Sequence, residues 1–391
     1  MKKTILSGLW VLLLLTGCAP YLQDLPVHLC EPLPENGSTS YTRGGAIGAA
    51  VQGLVKEGVP GAAVAVYSAE GWWTTAAGFA KLEDRTSMQP CHLQYLQSIS
   101  KLYLAVAVLK LYEAGKLRLD EPITAYLPER YRRYVTGAGQ ITVRMLLNHT
   151  SGVAEYNFSP AYVTYLLQHP DHRFTTEEYL AYIEGEPLDF APGSQYSYRN
   201  TNYILLALLT DALTGDHARY LTETIFTPLG LTQTYYRGQA GYPDYPALVN
   251  AYWDRYGNGI VENVSQMQKT NVASLIGDDG IVATPADAVK FLRGLMEGKL
   301  LSAATMDEMK TWVNNRKGEP AYGLGLAYAT VHGQVAYGHT GGGLGAGCQL
   351  YYFPEKGVYV FIGINLGTVT DSPLHKGAER ALDGVMEALL E

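Results

Sequence analysis

Ser98 and Lys101, three residues apart in "QSISKLYLAV", are the first residues of the chain whose types and spacing could do chemistry. Serine alone is a poor nucleophile. Three residues is just under one helical turn, so both side chains can face one side. A helix N-terminus favours developing negative charge there. An ammonium in an apolar wall is disfavoured, so a lysine so placed can accept a proton from a hydroxyl. The plain alternative is a serine cap beside a surface lysine. Taken alone, the motif favours the cap, because serine caps are common. It is, however, the only S-x-x-K in the chain.

Two further constellations follow. "QYSYRNTNY" contains Tyr198-Arg199-Asn200, a Y-x-N that could put a phenol and an amide in one cleft. A phenol near cations loses its proton more readily than its usual pKa of about 10 implies. It could then act as base for Ser98 and acid for a leaving group. With 30 tyrosines, such a motif is expected by chance, and Tyr256-Gly257-Asn258 is a second copy. Only the position before a helix distinguishes the first. "YGHTGGGLGAG" offers His339, Thr340 and Gly341 at a predicted strand end, where glycines allow close approach of a substrate backbone. A backbone N–H there could join that of Ser98 in an oxyanion hole. A phosphate-binding loop is disfavoured, because "CQLYYF" continues as a strand. A glycine-rich turn with a surface histidine stays open. "NHTSG" around His149 has a similar composition but no serine–lysine partner beside it, and reads as a decoy. There is no G-x-S-x-G, Walker loop, H-E-x-x-H or C-x-x-C, so neither metal nor organic cofactor is expected.

The surrounding segments must position these residues. "AIGAAVQGLVKEGVPG" has helical spacing, and "GAAVAVYSAEGWWTTAAGFA" reads as a hairpin turning at Ser68–Gly71. "SKLYLAVAVLKLYEAGKL" is apolar on most faces and should be a buried helix ending at Gly115. "TVRMLLNHTSG", "TTEEYLAYIEG" and "TNYILLALLTDALTG" read as further helices with Thr caps or terminal Gly. "YGLGLAYAT", "QVAYGHTGG" and "CQLYYFPEKGVYVFIGINLG" return to strands, and "HKGAERALDGVMEALL" closes as an amphipathic helix. The expected fold is α+β. One antiparallel sheet is built from both chain ends and flanked by helices, and a mainly helical lobe is inserted in the middle. The α/β lobe should cover about 43–95 and 275–391 and the helical lobe about 96–274. A ligand cleft is expected between the lobes.

The N-terminus bears on location. "MKK" followed by "ILSGLWVLLLLTGC" is too short for a comfortable span and reads as a signal peptide over 1–17. Leu15-Thr16-Gly17-Cys18 resembles the lipobox of bacterial lipoproteins, which makes Cys18 the lipidated residue; a plain secretory signal is the alternative. Residues 18–42, rich in Pro and polar residues, read as a tether. Ala19 adds no acidic retention signal, so the periplasmic side of the outer membrane is the expected location. Export permits a disulfide, and Cys30 with Cys91 is the expected pair, since Cys348 sits in an apolar run. The formal net charge of −8 and the absence of basic runs argue against nucleic acid or anionic lipid as partner. The excess of 30 Tyr over 8 Phe offers only a weak case for sugar stacking.

The order Ser98/Lys101, Tyr198/Asn200, His339/Thr340/Gly341 resembles the serine β-lactamase-like family, which holds class C β-lactamases, D-alanyl-D-alanine carboxypeptidases and related esterases. The likeness runs from about residue 43 to 391 and includes "ITVRMLLNHTSGV" and "GDDGIVATPADAVKF". It implies Ser98 as acylated nucleophile, Lys101 as its activator, Tyr198 as acid/base and Asn200 as substrate-orienting amide. It puts Thr340 and Gly341 on the strand lining the cleft, with Gly342 giving the second oxyanion N–H. Two positions depart from the pattern. Arg199 replaces the usual serine, either pointing away or adding charge. His339 stands where most β-lactamases have lysine, and a histidine holds a substrate carboxylate less firmly. The implied activity is therefore first a D-alanyl-D-alanine carboxypeptidase-like peptidase, then an esterase or other amidase, then a β-lactamase. The substrate would be a small peptide, ester or β-lactam. A non-catalytic muropeptide-binding envelope protein is the alternative of another class.

Overall fold

The structure is a computed structural model that describes residues 24–30, 40–236 and 247–391. The expected signal peptide, Cys18 and much of the tether lie outside the described residues. The central sheet has nine strands: β1 Gly61–Ser68, β2 Gly71–Lys81, β3 Thr86–Ser87, β4 Val313–Asn314, β5 Pro320–Tyr322, β6 Ala327–Val331, β7 Gln334–Gly342, β8 Gly347–Phe353 and β9 Val358–Ile364. Their order is β3-β2-β1-β9-β8-β7-β6-β5-β4, and the recorded pairings are antiparallel. The two chain ends meet where β1 pairs with β9, from Ala62 opposite Ile364 to Tyr67 opposite Tyr359.

Both of those strands are nearly continuous apolar runs because both faces of the sheet are covered. On one face α1 (Gly44–Lys56) and the C-terminal helix Pro373–Leu390 bring Ile47, Leu54, Val385 and Leu389 onto Val64, Val66 and Ile362. On the other, helix Pro285–Met296 supplies Phe291 and Leu292 against Ala65 and Phe361. Fully burying one such side chain contributes about 1.5–3 kcal/mol.

The inserted lobe is organised on α2 (Ser100–Glu113) and α3 (Thr201–Thr214). Every residue from Ser100 to Leu109 is buried, as is every residue from Thr201 to Thr210. Each helix stops near a left-handed glycine, Gly115 at φ 67° and Gly215 at φ 85°. Tyr103 of α2 stacks on Phe291 at 3.5 Å between ring centroids, which locks the lobe onto a sheet-covering helix.

Two expected elements differ. "YGLGLAYAT" is split into β5 and β6 by a turn in which Gly325 has φ 84°. A Cβ there would lie 2.1 Å from that of Ala105, so the turn is pressed against α2. "TVRMLLNHTSG" is helical only over Val143–Leu147, because His149 adopts φ 60° and turns the chain. Cys30 and Cys91 are bonded to each other, and Cys348 is free and buried. Among the described residues, no helix is long and apolar enough to cross a membrane.

Candidate active site

Ser98 lies in a tight 3-10 turn, Gln97–Ile99, that runs directly into α2. The chain reaches it from a short strand, Gln94–Tyr95, and must reverse within two residues. Gln97 absorbs that reversal with φ 48°, a left-handed conformation costing about 1–2 kcal/mol for a non-glycine residue. Strand β7 packs against the turn. A Cβ on Gly341 would meet the Leu96 carbonyl at 2.5 Å and Gln97 Cβ at 2.8 Å, so only glycine lets the strand come this near.

Lys101, one turn into the helix, is fully buried. Its Nζ donates to Ser98 Oγ at 2.9 Å and to the Asp278 carbonyl at 2.7 Å. It also stands over the rings of Tyr198 (5.2 Å) and Tyr203 (5.9 Å). Three carboxyls gather around it. Asp278 Oδ2 accepts from the Tyr156 hydroxyl at 2.9 Å. Glu155 accepts the backbone N–H groups of Asn157 and Asn200. Asp279 accepts that of Gly280 at 2.6 Å. Burial pushes Glu155 and Asp279 each up to about 7, and the Asp278 carboxylate pushes the same way.

Tyr198 precedes α3, and its hydroxyl is buried with no hydrogen-bond partner. Asn200 is the residue before the first turn of α3 and lines the cavity. The supposed decoy builds this wall. The His149 ring lies 4.3 Å from that of Tyr198, and His149 Nδ1 accepts from the Arg199 N–H (3.2 Å) and from Asn202 Nδ2 (3.0 Å). Its carbonyl accepts from Ser197 N–H at 2.9 Å. Burial first, then the nearby Lys101, drives the His149 pKa well below its ordinary value. Arg199 is turned to Asp189, at 2.7 Å, and to its neighbour's carbonyl.

His339 is only 4% exposed. Its Nδ1 lies 2.5 Å from the Thr340 carbonyl, which can only accept, so that nitrogen carries the proton. Its Nε2 then accepts from the Tyr322 hydroxyl at 2.8 Å. Burial, with the Lys101 charge second, holds the His339 pKa down at about 3. Thr340 is exposed, and Gly342 lines the cavity. The cavity itself has a volume of about 670 Å³ and opens over Ser98, between the helical lobe and the sheet.

A buried amine bonded to a half-buried serine, beside the end of β7 beyond Gly338 where its pairing with β6 stops, is an arrangement for nucleophilic acyl transfer. Residues 47–383 match the family model described as Beta-lactamase. The chain belongs to the Beta-lactamase family. Within it, the chain is 27% identical to the putative penicillin-binding protein PbpX of Bacillus subtilis, over 71% of this chain and 65% of that relative's length. It is 24% identical to a putative D-alanyl-D-alanine carboxypeptidase of Escherichia coli O157:H7, over 87% of this chain and 86% of the relative. The structure of a D-stereospecific amidohydrolase from Streptomyces sp. superposes with TM-score 0.74 at 28% identity, covering 86% of this chain and 97% of that one.

Reading the sequence alone missed His149, Gln97, Tyr322 and the acid group Glu155, Asp278 and Asp279. "GDDG" carried a signal, since paired acids between glycines in an apolar stretch need a reason to be buried. Tyr322 carried none, being one of many tyrosines.

Proposed function

We propose that this chain is a serine hydrolase that forms an acyl-enzyme on Ser98 and acts as a D-alanyl-D-alanine carboxypeptidase-like peptidase on peptidoglycan peptides. The observation that carries this is the 2.9 Å bond between Lys101 Nζ and Ser98 Oγ, with the amine fixed from behind by the Asp278 carbonyl. Ser98 Oγ attacks the carbonyl carbon while its proton passes to Lys101 or Tyr198. The oxyanion rests on the N–H groups of Ser98 and Gly342. Tyr198 returns the proton to the leaving amine as the C–N bond breaks, and Asn200 orients the substrate amide. Water then attacks the ester, releasing the acid and regenerating the Ser98 hydroxyl.

A carboxypeptidase needs a cation for the terminal carboxylate. A neutral, doubly bonded His339 does not supply it. Arg255, which lines the cavity and stands over the rings of Trp253 and Tyr256, takes that role. The second reading, an amidase or esterase on substrates without that carboxylate, is favoured by the same state of His339, and a β-lactamase ranks third. The bacterial relatives and the Cys30–Cys91 bond support an envelope location, with the lipid anchor on Cys18.

A fluorescent penicillin should label the wild type and not Ser98→Ala. Equal labelling of both, or none of either, would sink the acyl-enzyme. A D-Ala-D-Ala peptide, a nitrophenyl ester and a chromogenic cephalosporin assayed side by side then rank the substrates. Muropeptide binding without turnover of any of them would leave the non-catalytic binder.

A further inference from the structure

An N-terminal strap, residues 24–30, takes no part in the acyl-transfer steps, yet it lies across the two segments that lead into the cavity. One segment runs from Cys91 through the strand Gln94–Tyr95 to Gln97 and Ser98. The other runs from Ala247 to the strand Tyr252–Trp253 and on to Arg255 of the cavity wall. They are bonded to each other, Leu93 N–H to the Ala247 carbonyl at 2.9 Å and Val249 N–H to the Leu93 carbonyl at 3.2 Å.

The strap fastens to both. Asp24 pairs with Lys81 of β2 at 2.8 Å. The Asn250 carboxamide clasps Leu25, accepting its N–H at 3.0 Å and donating to its carbonyl at 2.8 Å. Asn250 is fully buried, and its Oδ1 also accepts from Ser265 Oγ at 2.9 Å. Val27 is buried with Ala63, Met88 and Val249. On the first segment, Gln89 Oε1 accepts from the Cys30 N–H at 2.9 Å, and the His28 carbonyl accepts from His92 Nε2 at 3.0 Å. The Cys30–Cys91 disulfide is the one covalent fastening among the described residues, and both its cysteines are half-buried. Ordering a strap of this length costs about as much backbone entropy as one buried valine and a few hydrogen bonds return, so it depends on that bond.

We propose that the strap is a redox-controlled brace of the active site, held while Cys30–Cys91 is oxidised and released by a dithiol reductant. Two thiol–disulfide exchanges break the S–S bond. Cys30 and Cys91 take up two electrons and two protons and become thiols, and the dithiol becomes a disulfide. The residues between Cys91 and Ser98 are all buried, so slack at Cys91 passes along a packed stretch to Gln97. Gln97 keeps its left-handed φ of 48° only while its surroundings impose it. Once it relaxes, Ser98 turns out of line with Lys101. This inference takes its readout from the acyl-enzyme reading above and rests on it.

The test uses the folded chain in three states: oxidised, reduced with dithiothreitol and then freed of it, and reoxidised. The rate of acylation by a fluorescent penicillin and amide hydrogen exchange are measured on each, with reduction confirmed by thiol titration. Reduction should slow acylation by about tenfold or more, because a small misplacement of reacting groups is costly. It should speed exchange in residues 88–98 and 247–253 and leave the C-terminal helix unchanged. Reoxidation should restore both. The double variant Cys30→Ser, Cys91→Ser should match the reduced protein and ignore dithiothreitol. Unchanged acylation after full reduction overturns the proposal. So does a loss that reoxidation does not reverse, or faster exchange throughout the sheet, which would be general unfolding. If the oxidised protein takes no penicillin, the acyl-enzyme reading fails, and the exchange pattern still decides whether the strap braces the Ser98 turn.

Discussion

Lys101 and His339 are both basic side chains buried beside the same cavity, yet their surroundings treat charge in opposite ways. Lys101 is held by acceptors: a serine oxygen and a backbone carbonyl, with two phenol rings beside it and, further out, the carboxyls of Glu155 and Asp279. His339 sits between one carbonyl and one hydroxyl, and a neutral imidazole satisfies both. A proton added to His339 would arrive in a buried site that already holds a Lys101 amine, and its pKa falls to about 3. Residue type therefore does not decide where positive charge stands in this cavity; the partners do. One base is placed to exchange a proton with Ser98, and the other is a fixed neutral part of the wall.

Removing Lys101 should break this contrast most severely. Lys101→Ala should slow penicillin acylation by about 10²–10⁴-fold, the usual range for a proton-transfer group. His339→Gln should stay within about tenfold of the wild type in the same stopped-flow assay. Similar losses in both would mean that the two bases are not distinct. Tyr198→Phe should cost about 10²-fold, since it removes a buried hydroxyl that has no hydrogen-bond partner among the described residues. A smaller change would leave proton transfer to Lys101 alone. His339→Lys sharpens the comparison from the other side. It should raise kcat/KM for a carboxylate-ended peptide about tenfold relative to a neutral ester, at a cost of about 1–3 kcal/mol for the lost Tyr322 bond. An unchanged ratio would remove His339 from the account of specificity.

The sheet was readable because its strands announce themselves. Apolar runs bounded by Ser68–Gly71 and Pro354–Gly357 give two hairpins, and the register follows. α2 and α3 were readable from continuous apolar spacing and terminal glycines. The site was readable only where local sequence carries the chemistry, as with Ser98 and Lys101 on one helical turn. Contacts made across the fold left no such mark. His149 reaches the Tyr198 segment through a positive φ and a backbone turn, in a stretch whose composition reads as a decoy of the His339 motif. Gln97 is notable only because the strand-to-helix reversal forces its backbone. His339 was visible as a residue, but its neutrality depends on Tyr322, which arrives from β5.

The smallest effect is on stability, and it follows from buried groups of opposite kind. Glu155 and Asp279 titrate near 7 when folded and near 4.5 and 3.8 when unfolded. Between those values the folded state holds protons that the unfolded state has released, so their stabilisation is lost as pH rises towards 7. His149 and His339 are neutral when folded and take up protons near 6.5 when unfolded. Their stabilisation is lost as pH falls below 6.5. From about pH 4.5 to 6.5 two carboxyls and two imidazoles pull in opposite directions, and their joint contribution is nearly level. Asp279→Asn deletes one carboxyl and leaves the imidazoles in the majority. Relative to the wild type, its unfolding free energy should therefore rise with pH through this window by about 1 kcal/mol per pH unit. Urea denaturation of both proteins at pH 5.0, 5.5, 6.0 and 6.5 (about half-unit steps across the titration range) reads that difference directly. A difference independent of pH would mean that Asp279 is ionised throughout, with its charge already neutralised inside the folded protein.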